Sequence, residues 1–220
     1  MEEITNHHKI LANELLKEIP SEYQLFYKNR IDNDPQGFLQ VLAELRTFYL
    51  FNNILGFAIS RISKPAFKNR DFDLEILINK APVNIEVYAN NEKINKREGY
   101  QEDAKLERAI RHGLEKFIIS ECNIIVLADE DVHSLNNRQF IYNGYQEDVF
   151  SGLIHLDDES KCIAQTELRK ISASLILNQS GHLDRDKSFK YVLAINQYPA
   201  VKLPEFLEEK LKQYAQYTHK

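Results

Sequence analysis

The spacing of hydrophobic positions changes along the chain, and each change marks a predicted element. Near the start, apolar side chains recur at the intervals of an amphipathic helix, first within residues 4–19, where Pro20 stops the pattern. A second helical pattern begins after Asp34-Pro35. Its apolar face is wide, which indicates a helix packed deep against a sheet, and it comprises Phe38, Val41, Leu42, Leu45, Phe48, Tyr49 and Phe51.

Further along, the pattern becomes that of a sheet with covering helices. Residues 57–62, 71–78 and 83–89 are predicted strands, and residues 79–82 connect the last two as a hairpin. The later predicted elements are an amphipathic helix over 101–119, a strand in CNIIVLADED that is covered on both faces, strands at 171–177 and 190–195, and a helix from Glu205. This order predicts an α/β fold with a mixed central sheet flanked by helices.

Composition narrows the class of protein. A chain of 220 residues with 43% hydrophobic and 28% charged residues is typical of one globular domain over residues 1–220. It has no apolar run of the roughly 18 residues that span a bilayer, and its polar start is unlike a secretory signal. Two cysteines without CxxC spacing suggest a reducing compartment, so we expect a cytoplasmic protein without a membrane partner.

The charge balance lacks the overall basic footprint of a nucleic-acid binder. The formal net charge is −5 and the isoelectric point is near 5.8. Basic residues do cluster on both sides of the hairpin, at Arg61, Lys64, Lys68 and Arg70 before it and at Lys93, Lys96 and Arg97 after it. These clusters are either a nucleic-acid contact or an ordinary solvated surface.

The hairpin places one acid inside each of two otherwise aliphatic strands. Asp73 lies in the first strand and Glu86 in the second. A buried carboxylate is costly unless it is paired, hydrogen-bonded or bound to a metal. If the hairpin aligns these two acids, both can reach one divalent cation, and carboxylate oxygens are ligands that Mg²⁺ accepts. Asp71 and Glu75 share the face of Asp73 by parity and are alternatives if the register differs.

With Glu44 on the preceding helix, these residues resemble a known family. A helical Glu44, a strand bearing Asp73, and the strand sequence I-E-V-Y at Glu86 are similar to the PD-(D/E)XK nuclease superfamily, and the resemblance covers residues 35–130. It implies a restriction-endonuclease-like αβββαβ core, with residues 1–34 as a helical extension and 131–220 as a ββα extension that completes the sheet. It also implies that the three acids bind Mg²⁺ or Mn²⁺ and that the substrate is a phosphodiester, with DNA as the expected nucleic acid.

One departure from the family concerns the catalytic lysine. The resemblance puts this lysine at position 88, which is Tyr88, and puts Phe72 where the family name has proline. A neutral phenol can donate a hydrogen bond to water or phosphate but supplies no positive charge. Lys105 on the next helix is the preferred substitute, and Lys80 and Lys93 are weaker ones.

Three functional hypotheses remain open from the sequence. The first is a metal-dependent nuclease with Glu44, Asp73 and Glu86 as ligands, for which a homodimer is an expectation that no residue shows. The second is a degenerate nuclease fold that serves as a nucleic-acid-binding or protein-interaction module. The third is a structural protein whose acids form ordinary ion pairs. The sequence has no GxxxxGK[ST] or GxGxxG loop, no HExxH motif and no GxSxG elbow, so other hydrolase and nucleotide-binding classes lack support.

Overall fold

The structure is a computed structural model, and it describes part of the chain. The described residues are 6–35, 37–62, 72–89, 113–129, 168–178, 191–196, 198–215 and 217–219. Lys105, Lys93, Asp71 and most of the helix predicted over 101–119 lie outside these ranges, as does most of the segment 131–170. Those predictions therefore stay predictions.

Most of the described helices lie in the first quarter of the chain. They are α1 (Asn6–Leu16), α2 (Ser21–Asn33), α3 (Phe38–Tyr49) with a π-helical turn at Leu50–Ile54, and α4 (Glu205–Tyr214). Residues 113–116 form one further helical turn. Helix α2 lies within the predicted helical extension 1–34, but it was not predicted as a separate helix because it has no apolar stripe: Tyr27 is its one buried residue and Leu25 is exposed.

A seven-stranded mixed sheet forms the centre, and the strands are adjacent in chain order from β1 to β7. They are β1 (Ile59–Ile62), β2 (Leu74–Ile78), β3 (Ala81–Ala89), β4 (Cys122–Asp129), β5 (Ala173–Asn178), β6 (Tyr191–Ile195) and β7 (Tyr217–His219). The pairs β3–β4, β4–β5 and β6–β7 are parallel, and the other neighbours are antiparallel. The predicted α/β class and mixed sheet are confirmed, whereas β7 was not predicted.

The hairpin between β2 and β3 is tighter than the sequence indicated. Ile78 pairs with Ala81, so Asn79 and Lys80 alone form the turn, both with positive φ (53° and 69°). That geometry is a two-residue turn of the primed type, whose twist matches the flanking strands. Ala81 and Pro82, which we had predicted in the connection, belong to β3.

Two hydrophobic clusters cover opposite faces of the sheet. The larger one joins α1, α3 and α4 to side chains such as Leu74, Ile85, Val87 and Val126. The smaller one lies on the other face and contains Phe72, Phe117, Ile125, Leu168 and Ile171. Strand β4 contributes to both clusters, which confirms the prediction of a strand covered on both sides.

Helix α3 carries the broad apolar face that its sequence predicted. Phe38, Val41, Leu42, Leu45 and Phe48 are buried in the larger cluster, and Tyr49 packs against it partly buried. Among the described residues, no helix has the length and apolar character required to cross a membrane.

Candidate functional site at the end of strand β3

Strand β3 continues beyond the end of its partner β2, and this difference in length creates the site. The described pairs run from Ile78 with Ala81 to Leu74 with Ile85, and β2 begins at Leu74. Continued in the same register, Phe72 would pair with Val87. Its ring instead stacks on Phe117 in the smaller cluster, with centroids 5.8 Å apart. The chain therefore leaves the sheet here, and Val87 to Ala89 need other hydrogen-bond partners.

Two side chains supply these partners. The Val87 N–H donates to Asp73 Oδ2 at 2.7 Å. The Gln40 amide of α3 donates to the Val87 carbonyl at 2.8 Å and accepts from the Ala89 N–H at 2.9 Å. Asp73 and Gln40 thus replace a strand, and they fix α3 and the start of β2 against the end of β3.

Glu44 lies one helical turn beyond Gln40 and is 4% exposed. Arg30 of α2 binds it in a bidentate way, with Nη1 to Oε2 at 2.7 Å and Nη2 to Oε1 at 3.0 Å. Gln40 Nε2 also donates to Oε1 at 3.2 Å, and the Tyr27 hydroxyl hydrogen-bonds to the same carboxylate. A carboxylate has about four acceptor positions, so Arg30 and Gln40 already occupy three of those of Glu44.

The charge of Glu44 changes the acidity of its neighbours. Burial lowers the pKa of the Arg30 guanidinium, but the hydrogen bonds and charge of Glu44 more than offset this, so the net pKa is raised. The pKa of the Tyr27 phenol is well above its usual value, because the ring is buried and because Glu44 and Asp73 oppose a third negative charge. Both groups therefore keep their protons and act as donors.

Asp73 is within electrostatic range of the other two acids. Its pKa is well above the ordinary value, first because it is buried and then because the Glu44 and Glu86 carboxylates are close. The Val87 N–H and the Lys116 ammonium act in the opposite direction but do not cancel the rise. Continued by one residue past the pair Leu74–Ile85, the register places Asp73 opposite Glu86, which is the alignment that a shared cation requires.

Glu86 is buried and contacts a lysine that the sequence analysis did not select. Lys116, at the end of the helical turn 113–116, donates to Glu86 Oε1. Lys116 is 25% exposed at its side chain and Glu86 is 2% exposed. Strand alternation places Glu86 on the face opposite Val87 and α3, so Glu44 and Glu86 approach Asp73 from different faces of the sheet.

The other sequence-predicted residues are distributed as follows. Tyr88 is half-buried and shares the face of Glu86 by alternation. Lys80 lies in the hairpin turn, at the far end of β3 from Glu86. Lys105 falls outside the described residues. The sequence analysis missed Tyr27, Arg30, Gln40 and Lys116; only Gln40 had a readable signal, since it lies four residues before Glu44 on one helix face.

The donors at this site are all oxygens, and their chemistry fits a hard divalent cation such as Mg²⁺. As they stand in the structure, however, the acids are engaged by Arg30, Lys116 and the Val87 N–H. Within the described ranges, no group of three His, Cys, Asp or Glu side chains is arranged to hold a metal ion. A cation would therefore have to replace at least one of these internal partners.

Comparisons with protein-family models, with curated proteins and with solved structures found no match for this chain.

Proposed function

We propose that this protein is a divalent-metal-dependent phosphodiesterase that acts on nucleic acid, with a restriction-endonuclease-like core. The observation that carries the proposal is the position of Asp73, buried and within range of both Glu44 and Glu86, where β2 and β3 separate. A buried acid whose pKa is raised by neighbouring carboxylates is a recurrent property of functional sites, because such an arrangement lowers stability unless a ligand compensates it.

The three acids would hold Mg²⁺ or Mn²⁺ at the edge of β3 beyond the end of β2, where Glu44 and Glu86 approach Asp73 from the two faces of the sheet. The ion, when bound, would polarise a phosphodiester and lower the pKa of a water. The chain itself supplies the other parts. Lys116 provides the positive charge that Tyr88 cannot, and it lies against Glu86. Its partial exposure allows its ammonium to contact a phosphate as well. Tyr88 would orient the water or the phosphate from the same face.

Lys116 replaces Lys105 as the preferred lysine in this proposal. Two observations support the choice of Lys116. It donates a hydrogen bond to Glu86, and its positive charge acts to lower the pKa of Asp73. An ammonium at this position would stabilise negative charge that develops on the phosphate.

The test combines calorimetry with plasmid nicking. The folded wild-type chain should bind Mn²⁺ and nick DNA, and Glu86→Gln should lose both properties. Lys116→Met should retain metal binding while nicking falls by on the order of 10²-fold, the usual effect of removing one electrostatic donor. Lys80→Met removes an equivalent charge at the far end of the hairpin and should behave like wild type. If the folded wild-type protein binds neither ion at millimolar concentration, the proposal is wrong.

A second candidate is a degenerate nuclease fold that binds nucleic acid without cleaving it. The ion pair between Arg30 and Glu44 favours it, because the guanidinium already places a positive charge where a metal ion bound to Glu44 would lie. Fluorescence anisotropy with labelled DNA in EDTA separates the two candidates. Binding that needs no metal, together with absent nicking, would support the binding module.

A further inference from the structure

The contacts of Glu44 have a consequence for the order of events at the site. Arg30 contacts both carboxylate oxygens, and Gln40 donates a further hydrogen bond to Oε1. A divalent cation needs at least one of those oxygens. It therefore cannot bind Glu44 until a donor has left.

Arg30 is the donor whose departure matters most. Gln40 and Tyr27 are neutral, whereas the guanidinium is always charged and repels a second cation at short range. Gln40 is also held by its two hydrogen bonds to β3, and Tyr27 is buried. The Arg30 side chain is 27% exposed, so it has direct access to solvent.

The surroundings of Arg30 also favour its present position. Its guanidinium carbon lies 5.3 Å from the centroid of the Phe26 ring and 5.6 Å from that of Tyr27. These contacts stabilise a cation over aromatic rings and add to the bidentate pair with Glu44. Arg30 is therefore held at Glu44 by several contacts when no ion is present.

We propose that Arg30 is an electrostatic latch that closes the metal site: it occupies the cation position at Glu44 and must release this carboxylate before a divalent ion binds. This inference rests on the proposed metal-dependent function. It assigns to Arg30 the regulation of ion access, so the apparent affinity for metal includes the cost of opening the latch.

Calorimetric titration with MnCl₂ at one pH and one salt concentration tests the latch. Arg30→Met keeps an unbranched side chain without charge and should bind Mn²⁺ at least about tenfold more tightly than wild type, because the competing cation is gone. Arg169→Met removes an exposed arginine elsewhere and should leave the affinity unchanged. Circular dichroism confirms that each variant is folded. Equal or weaker binding by folded Arg30→Met would overturn the latch and would indicate that Arg30 positions Glu44 for the ion.

Wild-type protein gives an independent measurement that no folding defect can affect. With ¹⁵N-labelled arginine, the Arg30 side-chain signal, assigned by its loss in Arg30→Lys, should shift and exchange faster with water as Mg²⁺ is added. If Mg²⁺ binds and this signal does not change, the latch is wrong while the metal site stands. If folded wild type and folded Arg30→Met both fail to bind metal, the latch and the proposed function fail together.

Discussion

The ion pair between Arg30 and Glu44 should respond unequally to removal of its two partners. Glu44 is 5% exposed at its side chain, whereas Arg30 is 27% exposed. Arg30→Met leaves a buried carboxylate without its cation, next to a second acid at Asp73. Glu44→Gln leaves a guanidinium that water can solvate, and the amide oxygen can still accept hydrogen bonds from Arg30 and Tyr27.

These contacts determine how much unfolding free energy each variant loses. Breaking a buried pair on the cation side costs about 3–5 kcal/mol of unfolding free energy, because the remaining charge is uncompensated. Losing the charge of Glu44 while keeping its acceptor costs about 1–2 kcal/mol, the range between neutral and charge-assisted hydrogen bonds. For a chain of this length, the Tm should fall by about 6–20 °C in Arg30→Met and by about 2–8 °C in Glu44→Gln.

Urea unfolding at pH 7.5 in EDTA, followed by circular dichroism, measures both variants without interference from metal. The double variant completes a cycle whose coupling energy should be about 1.5–3 kcal/mol. A Glu44→Gln variant that loses as much stability as Arg30→Met would refute the reasoning, since the cost would then not follow from the burial of the remaining charge.

The remaining predictions concern the free energy of unfolding of other variants. Asp73→Asn keeps the acceptor for the Val87 N–H. Because the pKa of Asp73 is raised in the folded state, the free energy of unfolding of wild type should fall as the pH rises from about 4 through that pKa. The variant lacks this titration, so a pH series of unfolding curves should show its stability rising relative to wild type over this range. Asn123→Ala removes a buried side chain that makes four hydrogen bonds, and it should lower the free energy of unfolding, measured by urea titration, by on the order of 2–4 kcal/mol. The exposed control Asn53→Ala should change it by no more than about 0.5 kcal/mol. In Gly56→Ala, the added methyl group has open space, but residue 56 has φ +77°, which an alanine adopts only with strain. Calorimetry should therefore show a loss of about 1 kcal/mol in the free energy of unfolding. No loss would mean that the backbone relaxes.

The sequence predicted those elements whose hydrophobic spacing is regular. Helix α3 and strands β3, β4 and β5 bury continuous or strictly periodic faces, so their pattern is visible without tertiary information. Helix α2 buries one tyrosine and carries Arg30 in its last turn, and the role of Arg30 depends on a glutamate fourteen positions away. Strand β7 has three residues and is defined by its pairing with β6. Neither element has a local signal.

The same limit applies to the site. The predicted four-residue connection at 79–82 would have aligned Asp73 with Tyr88. The two-residue turn at Asn79 and Lys80 sets a different register, which places Asp73 opposite Glu86. The pairing of Glu86 with Lys116 spans thirty residues and two elements whose relative position no spacing rule gives. Lys105 was selected in the same segment after β3 and lies outside the described residues, so its selection stays a prediction. The contact of Lys116 with Glu86 has no signal in the spacing of the sequence.

The place where β2 begins has a consequence of its own. A β2 extended by two residues toward the N-terminus would pair Phe72 with Val87 through ordinary backbone hydrogen bonds, and the Asp73 carboxylate and the Gln40 amide would lose their partners. Whether Asp73 comes close to Glu44 and Glu86 is therefore decided by where β2 begins, before the chemistry of any side chain is considered. An insertion or deletion just before Leu74 should disrupt the site more completely than a substitution within it.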